Sequence, residues 1–230
     1  MRPGFFDLIH VVYDLESPFE VWLDHLAEHA APIVPGEGTV VYAYDASRPE
    51  HGVDIVGSSH RGVSDDFVEA TFELNQQTRP EEARAIYHQG VISSTVSEVM
   101  QADQGMAEST YATLPGSLSP DTWGLSASDP TYQGIAMNSP LEQPTTLDAR
   151  TRRNWMRVGV HLNAAWRLRR RLGMNSEESP QALDAEDARD AGLEDLFGQA
   201  LEQAERVRKT RVDGDPEAAL SIWNALLDGR

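Results

Sequence analysis

"GTVVYAYDASRPEHGVDIVGSS", residues 38–59, contains two short runs of β-branched and aromatic residues, GTVVYAYDA (38–46) and VDIVGSS (53–59), with the turn formers of SRPEHG between them. Such runs fit a pleated, half-buried surface, so the stretch predicts an antiparallel strand pair. Alternation then places Val40, Tyr42 and Tyr44 on one side of the sheet and Val41 and Ala43 on the other. Upstream, Ser17-Pro18-Phe19-Glu20 has the form of a helix start, with serine as N-cap, proline at the first helical position and a glutamate placed for a capping box. Phe19, Trp22, Leu23, Leu26 and Ala30 follow at helical spacing and end before Pro32. Downstream, Ser64 can cap a helix DDFVEATFELNQQ, and Pro80 can open another, PEEARAIYHQ, that Gly90 stops.

The middle is less regular. VISSTVSEV (91–99) fits a strand, and residues 101–121 read as a loop of small and polar residues. TWGLSAS and YQGIAMNS flank the turn pair Asp129-Pro130, so residues 122–139 predict a hairpin, with Gly124 and Gly134 thinning its strands. From Thr146 to Leu172, Trp155, Val158, Leu162, Ala165, Leu168 and Leu172 recur at spacings of three, four and seven, which predicts one long amphipathic helix. GMNSEESPQ (173–181) has linker composition, and residues 182–230 read as a helical tail.

With 230 residues, 40% of them hydrophobic, the chain can bury one sizeable core plus an appendage. The absence of cysteine excludes disulfides, thiolate metal sites and a cysteine nucleophile. The N-terminal MRPGFFDLIHVVYDL lacks a small-residue cleavage site, and Asp7 and His10 break its apolar run. A soluble cytoplasmic protein without a membrane segment is therefore expected. Charge is distributed unevenly within a formal net of −18. Residues 1–149 carry 23 acids against 5 bases, residues 150–172 carry 8 arginines and no acid, and residues 173–230 carry 14 acids against 6 bases. So acidic a body repels phosphate backbones. Arginines 167, 169, 170 and 171 also wrap around a helix at about 100° per residue rather than sharing a face. They are expected to complement the helix dipole and to offer counterions to the acidic body or to a second subunit, with Trp155, Leu162, Trp166, Arg169, Arg170 and Arg171 as connector and homodimer residues.

The order helix, two strands, helices, loop, hairpin and long terminal helix resembles a GAF-like sensor domain of the PAS/GAF class. Within it, DARTRRNWMRVGVHLNAAWRLRRRL (148–172), followed later by DPEAALSIWNALLDGR (215–230), resembles the N-terminal regulatory part of LuxR-type helix-turn-helix transcription regulators. The resemblance implies an α/β (α+β) fold: a GAF/PAS-like antiparallel sheet flanked by helices, spanning residues 1–172 with the connecting helix 147–172, then linker and tail. In that group LLDGR precedes a DNA-binding module. No recognition-helix pattern occurs within these 230 residues, so DNA is expected only through a module absent from this chain.

The resemblance also implies sensing of a small molecule or partner, with a ligand between the sheet and the helices on one face. Tyr42, Tyr44, Trp123 and Tyr132 are the candidate lining residues, and no cofactor is expected. Two alternatives come from motifs. HLAEH (25–29) matches the H-x-x-E-H form of a zinc peptidase, with His25 and His29 as ligands and Glu28 as base, although five letters carry little information. The arginine-rich helix could also bind DNA autonomously. Ser58-Ser59-His60 lacks a nucleophile elbow, and GEG (36–38) lacks the further glycines of a phosphate loop.

Overall fold

A computed structural model describes residues 4–102 and 119–173, which fall within one compact unit, residues 1–180. The helical tail expected over 182–230 and the linker beyond Gly173 lie outside the described residues, as does most of the loop expected over 101–121.

The described elements run α1 (Phe5–Val12), α2 (Phe19–Ala30), β1 (Thr39–Asp45), a 3-10 turn (Pro49–His51), β2 (Asp54–Arg61), α3 (Asp65–Gln77), α4 (Pro80–Tyr87), β3 (Val91–Thr95), α5 (Val96–Ala102), β4 (Asp121–Ser128), β5 (Gln133–Leu141) and α6 (Ala149–Arg171). The five strands form one antiparallel sheet in the order β2-β1-β5-β4-β3. The expected strand pair is present, with Tyr42 opposite Ser58 and a bulge after Ala43 that leaves Val56 exposed. The hairpin turns at Asp129–Tyr132, where Asp129 Oδ1 accepts from the Thr131 and Gln133 amides.

Helices cover both faces of the sheet, and strand parity sorts the core. Val41, Ala43, Trp123, Ile135 and Met137 meet α1, α2 and α6, whereas Val40, Tyr42, Tyr44 and Ala136 meet α3 and α4. The result is an α+β fold consistent with a GAF-like arrangement. On the first face, Trp155 of α6 packs 4.6 Å from Trp123 and edge-on to Phe5 at 5.2 Å, measured between ring centroids. Gly159 lets α6 lie close to β3: a Cβ there would overlap Val91 Cγ1.

Local signals set most helix ends. Ser64 Oγ accepts from the Phe67 amide at the start of α3, and Glu82 accepts from the Arg79 amide before Pro80 in α4. Three elements differ from the sequence expectation. The Ser17 hydroxyl donates to Asp14 Oδ2, and no side chain caps α2, which begins at Phe19 with Pro18 as its N-cap. Residues 5–12 form a helix: Asp7, which interrupts the apolar run, is its N-terminal acceptor, taking the Gly4 amide at 2.9 Å. Residues 91–99 divide into β3 and α5 because Thr95 and Glu98 cap each other, the Thr95 amide donating to Glu98 Oε2 and the Glu98 amide to Thr95 Oγ1.

Candidate functional site

A cavity of about 130 Å³ lies between the centre of the sheet and α3, α4 and α5. Its apolar wall is made by Leu74, Ile86, Ile92, Val96 and Val99. Its polar wall exists because β4 and β5 place small and polar residues at every second position on this face: Thr122, Gly124 and Ser126, then Ala136 and Asn138. Gly124 stands opposite Asn138 in the ladder, and a Cβ on it would meet nothing closer than 3.8 Å, so this glycine leaves the floor open.

The polar groups form a connected network. The Tyr87 hydroxyl donates to Asn75 Oδ1, and Asn75 Nδ2 donates to the Thr71 carbonyl at 2.8 Å and to the Tyr42 hydroxyl at 3.4 Å. The Tyr42 hydroxyl lies 3.2 Å from that of Tyr87 and 3.4 Å from Asn138 Oδ1, on which it can donate. Burial pushes the phenols of Tyr42 and Tyr87 up from their ordinary value, so both stay neutral at physiological pH. A network drawn from four elements, β1, α3, α4 and β5, holds this wall in place.

Of the four aromatics expected to line a pocket, Tyr42 does so. Tyr44 is on the same face but one layer away, 4.6 Å from the Tyr87 ring and hydrogen-bonded to Ser126 Oγ at 2.8 Å. Trp123 is on the opposite face, packed on α6 and donating to Ser93 Oγ at 3.1 Å, because its parity in β4 differs from that of Gly124. Tyr132 is 39% exposed on the hairpin turn, at φ 63°, stacked on His88. Asn75, Tyr87 and Asn138 were not singled out in the sequence. The small residues Gly134 and Ala136 at alternate positions of β5, in register with Asn138 on the face of Tyr42, are the signal that marks it.

The arginine helix divides its charges three ways. Arg169 is fully buried: Nη1 donates to the Asp14 carbonyl at 2.6 Å, Nη2 to the Ser17 carbonyl at 2.9 Å, and the guanidinium lies 4.6 Å from the Trp22 ring centroid. Burial lowers it to about 10, which leaves it charged at neutral pH. Arg170 binds Asp129 Oδ2, and Arg152 binds Glu98 Oε1, so the acidic body does supply counterions. Arg153, Arg157, Arg167 and Arg171 are exposed. Trp155, Leu162 and Trp166, expected at a dimer seam, are buried in the protein's own core. The alternation of apolar positions that suggested a seam is used by α1, α2 and the sheet.

HLAEH lies on α2 with its groups dispersed. His25 Nδ1 is 3.5 Å from Asp14 Oδ2, His29 Nδ1 donates to the His25 carbonyl at 2.9 Å, and Glu28 is exposed. Among the described residues no three His, Asp or Glu side chains gather as a metal site. Ser59 Oγ donates to Asp24 and His60 pairs with Asp65, so that serine and histidine have separate partners. No described helix is long and apolar enough to cross a membrane. No protein-family model matches the chain, and no curated protein matches it by sequence.

Proposed function

We propose that the chain is the sensory part of a LuxR-type transcription regulator: a non-enzymatic, cytoplasmic, homodimeric module that binds a small molecule and signals through α6. DNA is met only by a module outside this chain. The carrying observation is the cavity, whose mixed walls, preformed polar network and open floor at Gly124 suit a small ligand. The position of α6 agrees with an output role, since it packs on the opposite face and is held at both ends, by Glu98 and by the segment 14–17.

A second copy meeting α6 would contact its outward row, Val160 and Ala164 flanked by Arg157 and Arg167, rather than the buried tryptophans. Native mass spectrometry of the purified chain, gentle and then denaturing, tests the proposal. A dimer carrying an extra small mass is the expected result. A bare dimer would replace ligand sensing with an assembly role, and a bare monomer would remove the dimer as well.

A further inference from the structure

The chemistry of the cavity narrows what can occupy it. Among its described lining residues the one charged side chain is Glu82, and both of its oxygens are taken by Arg79, through the backbone amide at 3.1 Å and the guanidinium Nε at 2.9 Å. The N-terminus of α5, which borders the cavity, is also occupied. The Ser97 amide donates to Asp121 Oδ1 at 3.0 Å, and the Thr95 and Glu98 amides are used in their mutual cap. An anionic ligand would lose its hydration here with no counter-charge among the described lining residues to meet it, and a cationic one would find the carboxylate of Glu82 already engaged.

Asn138 brings a donor to the polar wall. Asn138 accepts from Tyr42 through Oδ1, and among the described residues its Nδ2 has no partner. Facing it across the cavity are aliphatic side chains from α4, β3 and α5. Size sets the remaining bound: a volume of about 130 Å³ is close to the roughly 150 Å³ that accommodates benzene in an apolar core.

We infer that the cavity takes a neutral molecule the size of one six-membered ring with one hydrogen-bond acceptor, of the benzamide or phenol class. Its ring lies among Ile86, Ile92, Val96 and Val99, and its polar group meets Asn138 above Gly124. This inference rests on the sensor proposal and adds the ligand's charge and size to it.

Benzamide, phenol and benzoate, titrated into the full chain at neutral pH by calorimetry, form the test, because benzamide and benzoate share a shape and differ in charge. Benzamide should bind, and benzoate should bind at least about tenfold more weakly. Gly124→Val fills the floor without a backbone clash and should weaken benzamide by about tenfold or more while leaving the circular dichroism unchanged. Asn138→Asp, which removes the donor without adding volume, should do the same if the valine variant fails to fold.

Equal binding of benzoate overturns the inference, as does undiminished benzamide binding in a folded Gly124→Val or Asn138→Asp variant, or no binding of benzamide and phenol by the native chain. The sensor proposal is judged separately by the native mass spectrum. A co-purified mass together with refusal of benzamide would remove only the ligand class, whereas a bare protein that binds neither benzamide nor phenol would remove both.

Discussion

Replacing Arg169 by alanine is expected to destabilise the fold more than any other single change within the arginine run. The guanidinium is fully buried and donates to the carbonyls of Asp14 and Ser17, in the link between α1 and α2. Each hydrogen bond to a charged group contributes about 1.5–3 kcal/mol, and stacking over Trp22 adds about 1–2 kcal/mol where water is excluded. Water entering the space left behind rehydrates part of the two carbonyls, so the net loss is about 3–5 kcal/mol, a large part of the stability of a small domain. Urea unfolding followed by tryptophan fluorescence measures it, with Trp22 directly beneath the mutated side chain. Arg169→Lys should recover part of the loss through one carbonyl. Arg169→Met restores bulk but neither bond and should remain well below the native protein. A methionine variant within about 0.5 kcal/mol of native would show that Arg169 acts by filling space, and the clamp would be refuted.

His161 is buried in α6, with Nδ1 3.0 Å from the Tyr13 hydroxyl, and desolvation lowers it to about 4. The unfolded chain therefore binds the proton first. This contribution is complete above about pH 6.5 and is lost as the pH falls toward 4, amounting to about 3 kcal/mol; urea midpoints at several pH values should show it, and His161→Gln should flatten that slope. Gly159→Ala would gain helix propensity elsewhere, yet here its Cβ meets Val91, so a loss of about 1–3 kcal/mol in thermal unfolding is expected and a gain would contradict the close approach of α6 to β3. Glu98→Gln keeps the shape but removes the charge facing Arg152 and one acceptor for the Thr95 and Leu147 amides. Faster amide hydrogen exchange in the first turn of α6, with the rest of the helix unchanged, is the expected result.

The elements legible in the sequence are those with a local cause. Ser64, Pro80 and the Asp129 turn each act within a few residues, and alternation in β1 assigns Tyr42 and Val41 to the correct faces. α1 is obscured because Asp7 and His10 interrupt its apolar run, although an acid at that position is a helix-start signal. The Thr95–Glu98 capping box is equally local, but the β-branched composition of residues 91–99 masks it. The ring of Trp123 fits a pocket by its chemistry, whereas its side-chain direction follows from counting along β4. The cavity itself was not legible, since Tyr42, Asn75, Tyr87 and Asn138 come from β1, α3, α4 and β5 and meet only through tertiary packing.

For a ligand in the cavity to influence α6, something must connect the two faces of the sheet, and α5 does so directly. Val96 and Val99 face the cavity, while Glu98, between them in sequence, accepts from the Leu147 amide at 3.0 Å and pairs with Arg152 in the second turn of α6. Its carboxyl is held below the usual glutamate range despite burial, by the amides of Thr95 and Leu147, the Ser94 hydroxyl and Arg152. A carboxylate with that many partners does not release them cheaply. If α5 shifts to admit a ring, the start of α6 is therefore drawn with it, while Arg169 keeps the far end fixed on the α1–α2 link. Such coupling cannot exceed the difference in the ligand's affinity for the two arrangements, about 1–3 kcal/mol in typical cases. That is comparable to the hydrogen bonds at Glu98, so this joint is where a small neutral ligand can have leverage on the helix.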